Sequence, residues 1–438
     1  MNTAVRNVFV VGLDDFNRQR LESLKGAEDC RFHGVIAPEA VYDTEVFDIA
    51  AMLEESTAQL EAFDGTVDAI VGYMDFPVST MLPILCERFG TRSPTLSSLL
   101  KCEHKYWSRR VQQEVIAEHI PAFTAFDPFD PFDDEALTHI GEAGLHFPFF
   151  VKPIKSSGSR LGFRIDTPED FQHAIERLRA EIGLIADPFN TVLEQARLPD
   201  EIAAVEGHFC MAEAIIGGWQ CTVEGYVFEG EVVSYGIVDS LRYPQVLSFF
   251  HYRYPSGLPD PVQATMRELS ERVMRHIGFD NSAFNIEFFW DEVQDRIWLL
   301  EINTRLSQSH CDLFEKVDGA SHQQVAIDLA LGRRPGMPHR RGEFAVAAKF
   351  FYRVFFVDAV AVRVPSDEEI AALEADFPGT VIHLQVAPGQ RLSTLPEQDS
   401  YSFALAHVWM GADGAEQLLE HYERLAARLV FEFDEIVG

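Results

Sequence analysis

The segment Trp298-Leu-Leu-Glu301-Ile-Asn303-Thr-Arg305, with Asn285-Ile-Glu287-Phe-Phe289 just upstream, constrains this chain more than any other. Alternation with period two puts Ile297, Leu299, Glu301 and Asn303 on one face of a strand and Trp298, Leu300 and Ile302 on the other. The same period places Asn285 and Glu287 together. Asp291 to Asp295 is polar enough for a solvated turn, so an antiparallel hairpin brings Glu287 beside Glu301 and Asn303. Two carboxylates and an amide oxygen at the polar end of a hydrophobic sheet suit Mg²⁺, with Mn²⁺ as the second choice. Mg²⁺ takes oxygen ligands and completes its shell with substrate phosphates. Arg305, two residues past the last ligand, is within reach of a phosphoryl group near the metal. The competing reading, a solvated acidic hairpin, fits poorly with the apolar strand runs around these carboxylates.

A chain of 438 residues has room for two to four domains. No apolar run approaches the ~20 residues of a membrane span. The N-terminus enters a strand directly, without a small-residue cleavage site after an apolar core. A cytoplasmic protein with no membrane partner is therefore expected. The net charge of −33 argues against sequence-independent nucleic-acid binding, which relies on basic patches. A phosphate site in such a chain must gather its few Lys and Arg locally. Cys30, Cys86, Cys102, Cys210, Cys221 and Cys311 form no CxxC pair and have no His at zinc spacing, so they read as reduced, mostly buried thiols. Only Cys311, beside the metal strand and His310, invites a reactive reading.

Residues 1 to about 100 alternate strands (Val8 to Gly12, Arg31 to Ile36, Asp68 to Tyr73) with helices (Phe16 to Leu24, Val46 to Phe63), which predicts a right-handed parallel sheet. Gly12 lies in the first turn, but there is no GxGxxG, so this Rossmann-like frame carries no dinucleotide signature. Lys105 opens a helix to about Ile116. Phe147 to Ile154 is an apolar strand carrying Lys152. It runs into the small-residue loop Lys155-Ser-Ser-Gly-Ser-Arg160 and a second strand, Gly162 to Ile165. Thr167-Pro-Glu-Asp170 starts a helix to about Ile182. Residues 183 to 207 show no clear pattern. Strands follow at Cys210 to Ile216, Cys221 to Phe228 and Glu231 to Val238, then a helix from Pro261 to His276 and the carboxylate hairpin. A helix at 321–332 ends at a linker, Arg333 to Pro338. Beyond it, strands (Phe344 to Tyr352, Ala359 to Val364, Thr380 to Val386) and helices (Ser366 to Asp376, Gly414 to Arg428) predict an α+β domain. The fold class is α/β and α+β multidomain.

A lysine in an apolar strand needs a partner, because an unpaired buried ammonium is expensive. For Lys152 the partner is a carboxylate or an anionic ligand. The loop Ser156-Ser157-Gly158-Ser159 favours the ligand, since small residues let backbone N–H groups and hydroxyls close over phosphate oxygens. No GxxxxGK[ST] is present.

Lys105 at a helix start, Phe-Phe-Val-Lys152-Pro, the small-residue loop, Ala-Glu213-Ala-Ile-Ile216-Gly-Gly and finally Glu287 with Glu301-Ile-Asn303-Thr-Arg305 follow the order of the ATP-grasp superfamily, which the chain resembles over ~105 to 333. Glu-Ile-Asn-Thr-Arg-Leu is similar to the metal strand of the biotin carboxylase and carbamoyl-phosphate synthetase branch, and Gly379-Thr-Val with Ala387-Pro-Gly389 resembles L-amino-acid ligases. The resemblance implies an ATP-grasp fold with a Rossmann-like domain at 1–104, an ATP-grasp domain at 105–333 (lid subdomain about 120–208) and an α+β domain at 334–438. It also implies that Lys105 and Lys152 contact the α- and β-phosphates of ATP and that Ser157, Gly158 and Ser159 cover the γ-phosphate. Glu213, Ala214, Ile215 and Ile216 would hold adenine, with Gln220 standing where the family usually has a ribose-binding glutamate. Lys101 competes with Lys105 for the first role.

The implied activity is an ATP- and Mg²⁺-dependent carboxylate–amine ligase. It forms an amide or peptide bond through an acyl phosphate, releases ADP and phosphate, and uses Arg305 as the catalytic fork. The partners are a small carboxylic acid and an amine or amino acid, and relatives are commonly homodimers. Arg242, His251, Arg253 and His310 lie where relatives carry substrate-facing groups. Two rival readings compete with it. One is bicarbonate activation, although no biotin-accepting Met-Lys-Met segment is present. The other is a nucleotide-binding regulatory protein without turnover, which Gln220 mildly favours and the intact Lys152, Glu287, Glu301, Asn303 and Arg305 oppose.

Overall fold

Three parallel strands open the chain, β1 (Arg6–Val11), β2 (Cys30–Val35) and β3 (Ala69–Val71), in the order β2-β1-β3. The computed structural model describes residues 5–42, 46–130, 133–156, 160–355, 358–396, 398–399 and 402–434. The helices Asp15–Glu22 and Ile49–Glu61 lie between these strands, capped by the side chains of Asp14 and Asp48. Two helices that the sequence pattern did not resolve, Val78–Phe89 and Leu96–Glu103, lead to the helix Lys105–Ile116. His104 ends one and caps the next: its Nδ1 accepts from Trp107 N at 3.2 Å while Nε2 donates to Val205 O at 2.7 Å. This junction sets Lys105 at the first helical position.

A small antiparallel sheet follows, of β4 (Phe123–Phe126), β5 (Phe149–Pro153), β6 (Phe163–Ile165) and β7 (Cys210–Ala214), in the order β4-β7-β5-β6. Thr167 and Asp170 form a reciprocal capping box on the helix Pro168–Glu181, whose Phe171, Ala174 and Leu178 pack against Phe149 and Val151. The unpatterned stretch contains the helix Gly183–Leu193 and a short turn, Asp200–Ala203. Gly183 at its start and Pro188 inside it mask a helical spacing of buried Ala186, Phe189, Val192 and Leu193.

The large sheet has eight strands, in the order β12-β11-β8-β9-β10-β13-β16-β15. They are β8 (Trp219–Phe228), β9 (Glu231–Arg242), β10 (Phe249–Tyr254), β11 (Ser282–Asp291), β12 (Arg296–Asn303), β13 (Val346–Phe355), β15 (Val381–Leu384) and β16 (Ser402–Ala412). A two-stranded pair, β14 (Ala361–Arg363) with β17 (Glu432–Phe433), stands beside it. The expected division at 333 falls between β12 and β13, yet both strands belong to this one sheet, and β13 pairs with β10. One face packs on the helices Asp260–Ile277 and Ala415–Ala426. The other face carries the carboxylates and is partly covered by the helix Cys311–Asp318. No helix among the described residues is long and apolar enough to cross a membrane.

Candidate active site

The hairpin of β11 and β12 sets Glu287 opposite Glu301 and Asn285 opposite Asn303, with an irregularity after Glu287. Burial pushes the Glu287 carboxyl up, and the Glu301 charge pushes it further. Two amides counter this: Gln220 Nε2 donates to Glu287 Oε2 at 3.0 Å and Asn303 Nδ2 to Oε1 at 3.3 Å. Asn303 Nδ2 also donates to Asn285 Oδ1 at 2.9 Å, so Oδ1 is the Asn303 atom that could ligate a cation. No group of three or more His, Cys, Asp or Glu suited to a metal occurs among the described residues. The donor set here is instead two mutually repelling carboxylates and one amide oxygen, which fits a hard divalent cation that cancels the repulsion.

Arg305 extends from the loop after β12, and Nε and Nη2 grip Asp75 at 2.7 and 2.5 Å. Asp75 follows β3, so the N-terminal sheet reaches the site at the C-terminal end of its strand, where open α/β sheets bind ligands. That position was the signal by which sequence reasoning could have found Asp75.

Cations face these carboxylates. Lys105 Nζ donates to Ser156 O at 2.8 Å and lies 3.7 Å from Glu301. Burial lowers its pKa, and the Lys152 and Lys155 charges lower it again, against Glu301 and Glu213. Lys101 instead donates to Ile277 O at 3.3 Å, so Lys105 is the lysine at the carboxylates. Lys152 Nζ and Arg109 Nε each contact Glu213 at 2.5 Å. Burial pushes Glu213 up, but the two cations outweigh it and hold the carboxyl at about 2. Both Glu213 oxygens are thus engaged by cations on β5 and the Lys105 helix rather than left for an adenine amine. Ala214 ends β7, and Ile215 beside it is exposed, with Ile216 half-buried. Lys155, a residue not singled out in the sequence, pairs with Glu103 at 2.5 Å, and Thr304 donates to the same carboxylate. Ser157, Gly158 and Ser159 lie outside the described residues.

Gln220 joins two groups: it donates to Glu287 and accepts from Arg242 Nη2 at 2.7 Å. The Arg242 guanidinium stacks on Phe249 at 4.2 Å. The structure does not bring His251 or Arg253 to the carboxylates. The period of β10 turns them to the opposite face. His251 lies opposite Phe350, its ring 4.9 Å from the Phe350 ring and 4.8 Å from Phe250. Arg253 closes on buried Asp239 at 2.7 Å, on the side of the helix Asp260–Ile277. His310 is on the site face, buried, with Nδ1 2.7 Å from Glu224 Oε1. The Cys311 thiol is pushed up to about 12, mainly by burial, so it stays protonated and unreactive at neutral pH.

Residues 145–312 match the ATP-grasp domain family. The D-alanine–D-alanine ligase of Parasynechococcus marenigrum (strain WH8102) is 29% identical over 199 residues, covering 44% of this chain and 51% of that protein. The chain spans about half the length of the curated relatives it matches. Among solved structures, an L-amino acid ligase from Bacillus licheniformis superposes with a TM-score of 0.69 at 13% identity, over 99% of this chain and 100% of that one. The biotin carboxylase domain of Hydrogenobacter thermophilus 2-oxoglutarate carboxylase, in complex with MgADP, ADP and bicarbonate, gives 0.64 at 14% identity, over 100% and 92%. Over 145–312 the chain is similar to the ATP-grasp domain, and its fold is the ATP-grasp fold.

Proposed function

We propose that the chain is an ADP-forming carboxylate–amine ligase that activates a small carboxylic acid as an acyl phosphate and joins it to an amine or amino acid. One observation carries this reading: Glu287, Glu301 and Asn303 share one hairpin, with Lys105 3.7 Å from Glu301 and the Arg305 charge acting on Glu287. Carboxylates for a cation, a depressed lysine and an arginine fork are the parts that phosphoryl transfer needs. That chemistry depends on positioning and charge rather than covalent help from the protein.

Lys105 and Lys152 are the cations for the nucleotide phosphates. The lowered pKa of Lys105 returns toward normal when a polyanion arrives, so the site favours a bound triphosphate. Mg²⁺ held by Glu287, Glu301 and Asn303 supplies charge neutralisation at the phosphates. Ile215 and Ile216 offer apolar surface and backbone groups for adenine. Gln220 can bind a ribose hydroxyl as an amide. Arg305, oriented by Asp75, presents its remaining N–H groups to the migrating phosphoryl and then to the tetrahedral oxyanion. On this reading residues 105–333 are the catalytic unit, about 120–208 its lid, and 1–104 and 334–438 its flanks. The loop after Ser156 is the water-excluding cover.

The test is ADP and phosphate release from Mg-ATP with a panel of amino acids, other carboxylates, amines and bicarbonate. Release that needs one acid and one amine supports the ligase. Release with bicarbonate alone moves the reading to the carboxylase branch, and ATP binding without release under any condition sinks both.

A further inference from the structure

Ligation has a second proton problem that the phosphate machinery does not solve. An amine that attacks an acyl phosphate becomes an ammonium and must lose a proton before the amide is stable. The site face of the large sheet holds a group suited to that task. Glu224, fully buried on β8, lies in register between Asn285 on β11 and Gly236 on β9, in the cross-strand row next to the carboxylates. Its Oε1 meets His310 Nδ1 at 2.7 Å, and its Oε2 lies 3.7 Å from His322 Nδ1. The His310 ring is fixed edge-on against Tyr252, with centroids 5.1 Å apart and planes at 90°. Among the described residues no hydrogen bond reaches His310 Nε2.

The neighbouring histidine shows the contrast. His322 Nε2 donates to Ser307 O at 2.8 Å, and its Nδ1 accepts from Tyr235 at 3.0 Å, so both nitrogens are engaged. Its part is to hold the loop that presents His310. The charged and titratable groups around the pair are Glu287 on β11, Tyr235 on β9, Tyr252 on β10, Lys349 on β13, His322 and Arg305. Burial pushes the Glu224 carboxyl up and the His310 ring well down, and the Arg305 charge acts on both.

We propose that Glu224 and His310 form a base dyad for the amine, with Glu224 fixing Nδ1–H and Nε2 receiving the proton. This rests on the ligase reading above. The amine lone pair forms the C–N bond at the acyl carbon. The C–O bond to phosphate then breaks, and its electron pair leaves with the phosphate. The ammonium proton passes to Nε2 as Nδ1 gives its own proton to the Glu224 carboxyl across the 2.7 Å contact, and the pair then returns one proton to solvent. His310 is the catalytic residue of the dyad and Glu224 its positioning residue.

Hydroxylamine separates this step from the rest, because it captures acyl phosphates as hydroxamates without help from a base. The full chain, with Mg-ATP and an acid that supports ADP release, is assayed with the amine and separately with hydroxylamine. In His310→Gln the amine product is expected to form roughly 10²–10⁴-fold more slowly while hydroxamate forms within about twofold of wild type. In Glu224→Gln the amine step is expected to fall by about tenfold or more, again with hydroxamate retained. Hydroxamate lost in parallel with amine product, or an unchanged amine rate, overturns the dyad. Wild-type protein that yields no hydroxamate with any acid defeats the ligase reading itself, and the dyad with it.

Discussion

Glu213 shows how one carboxylate organises a cationic wall. Lys152 and Arg109 both depend on it, and Arg109 also donates to the carbonyls of Leu299 and Leu300 at 3.1 and 2.7 Å, joining the small sheet to β12. Glu213→Gln strands two buried cations and is expected to cost about 3–5 kcal/mol in denaturant unfolding at neutral pH. The sign with pH follows from the depressed carboxyl. Its stabilisation is complete above the unfolded value of about 4.3 and is lost as pH falls toward about 2. Wild type and variant should therefore converge in stability in acid, and a gap that persists below that range would count against the ion pair. Glu287→Gln points the other way. It relieves the repulsion with Glu301, so the metal-free protein should gain about 0.5–2 kcal/mol while ADP release falls by roughly 10²-fold or more; a loss of stability would show that the pair is not strained. The closeness of Glu287, Glu301 and Asn303 was legible because period-two alternation and a hairpin turn dictate it. Glu103 and Glu224 were not, and for Asp75 only its place after β3 gave a signal. Each meets a partner more than fifty residues away, through an approach that only tertiary packing defines.

At the scale of elements, the helix start at Thr167 was readable, since its capping motif specifies its own hydrogen bonds, and the same box closes at Ser366. The strand β16 was missed, though it is interior to the large sheet. Its Ala404, Ala406, Gly411 and Ala412 flatten the alternation that marks a strand, and burial on both faces removes the polar half of the pattern. Small residues also matter in β9. A Cβ on Gly236 would meet the Phe314 ring at 2.4 and 2.7 Å and Tyr254 at 3.0 Å, so this glycine lets the helix Cys311–Asp318 lie on the sheet. Gly236→Ala should cost about 1–3 kcal/mol by overpacking. By lifting the helix that begins beside His310, it should also slow the amine step more than hydroxamate formation, and equal slowing of both would disconnect helix seating from His310.

Across the whole molecule the charge of −33 repels itself in the folded state, while the lysines and arginines of the site collect against that background. Screening should raise the melting temperature as NaCl goes from about 0.01 M to about 1 M, where the Debye length shrinks from ~30 to ~3 Å; a flat response would mean the surface acids are already dispersed enough not to matter. The parallel N-terminal sheet followed directly from the strand–helix alternation. The joining of β13 to β10 did not, because nothing in either strand names its neighbour. That seam has a consequence for how such chains can be recombined. Where His251 to Tyr254 run against Ala347 to Phe350, residues before and after 333 share one ladder of main-chain hydrogen bonds. A tail borrowed from a protein of the same fold would therefore graft successfully only if it brings a strand in the same register, so the heritable module is the β10–β13 seam and not the segment that begins after the linker.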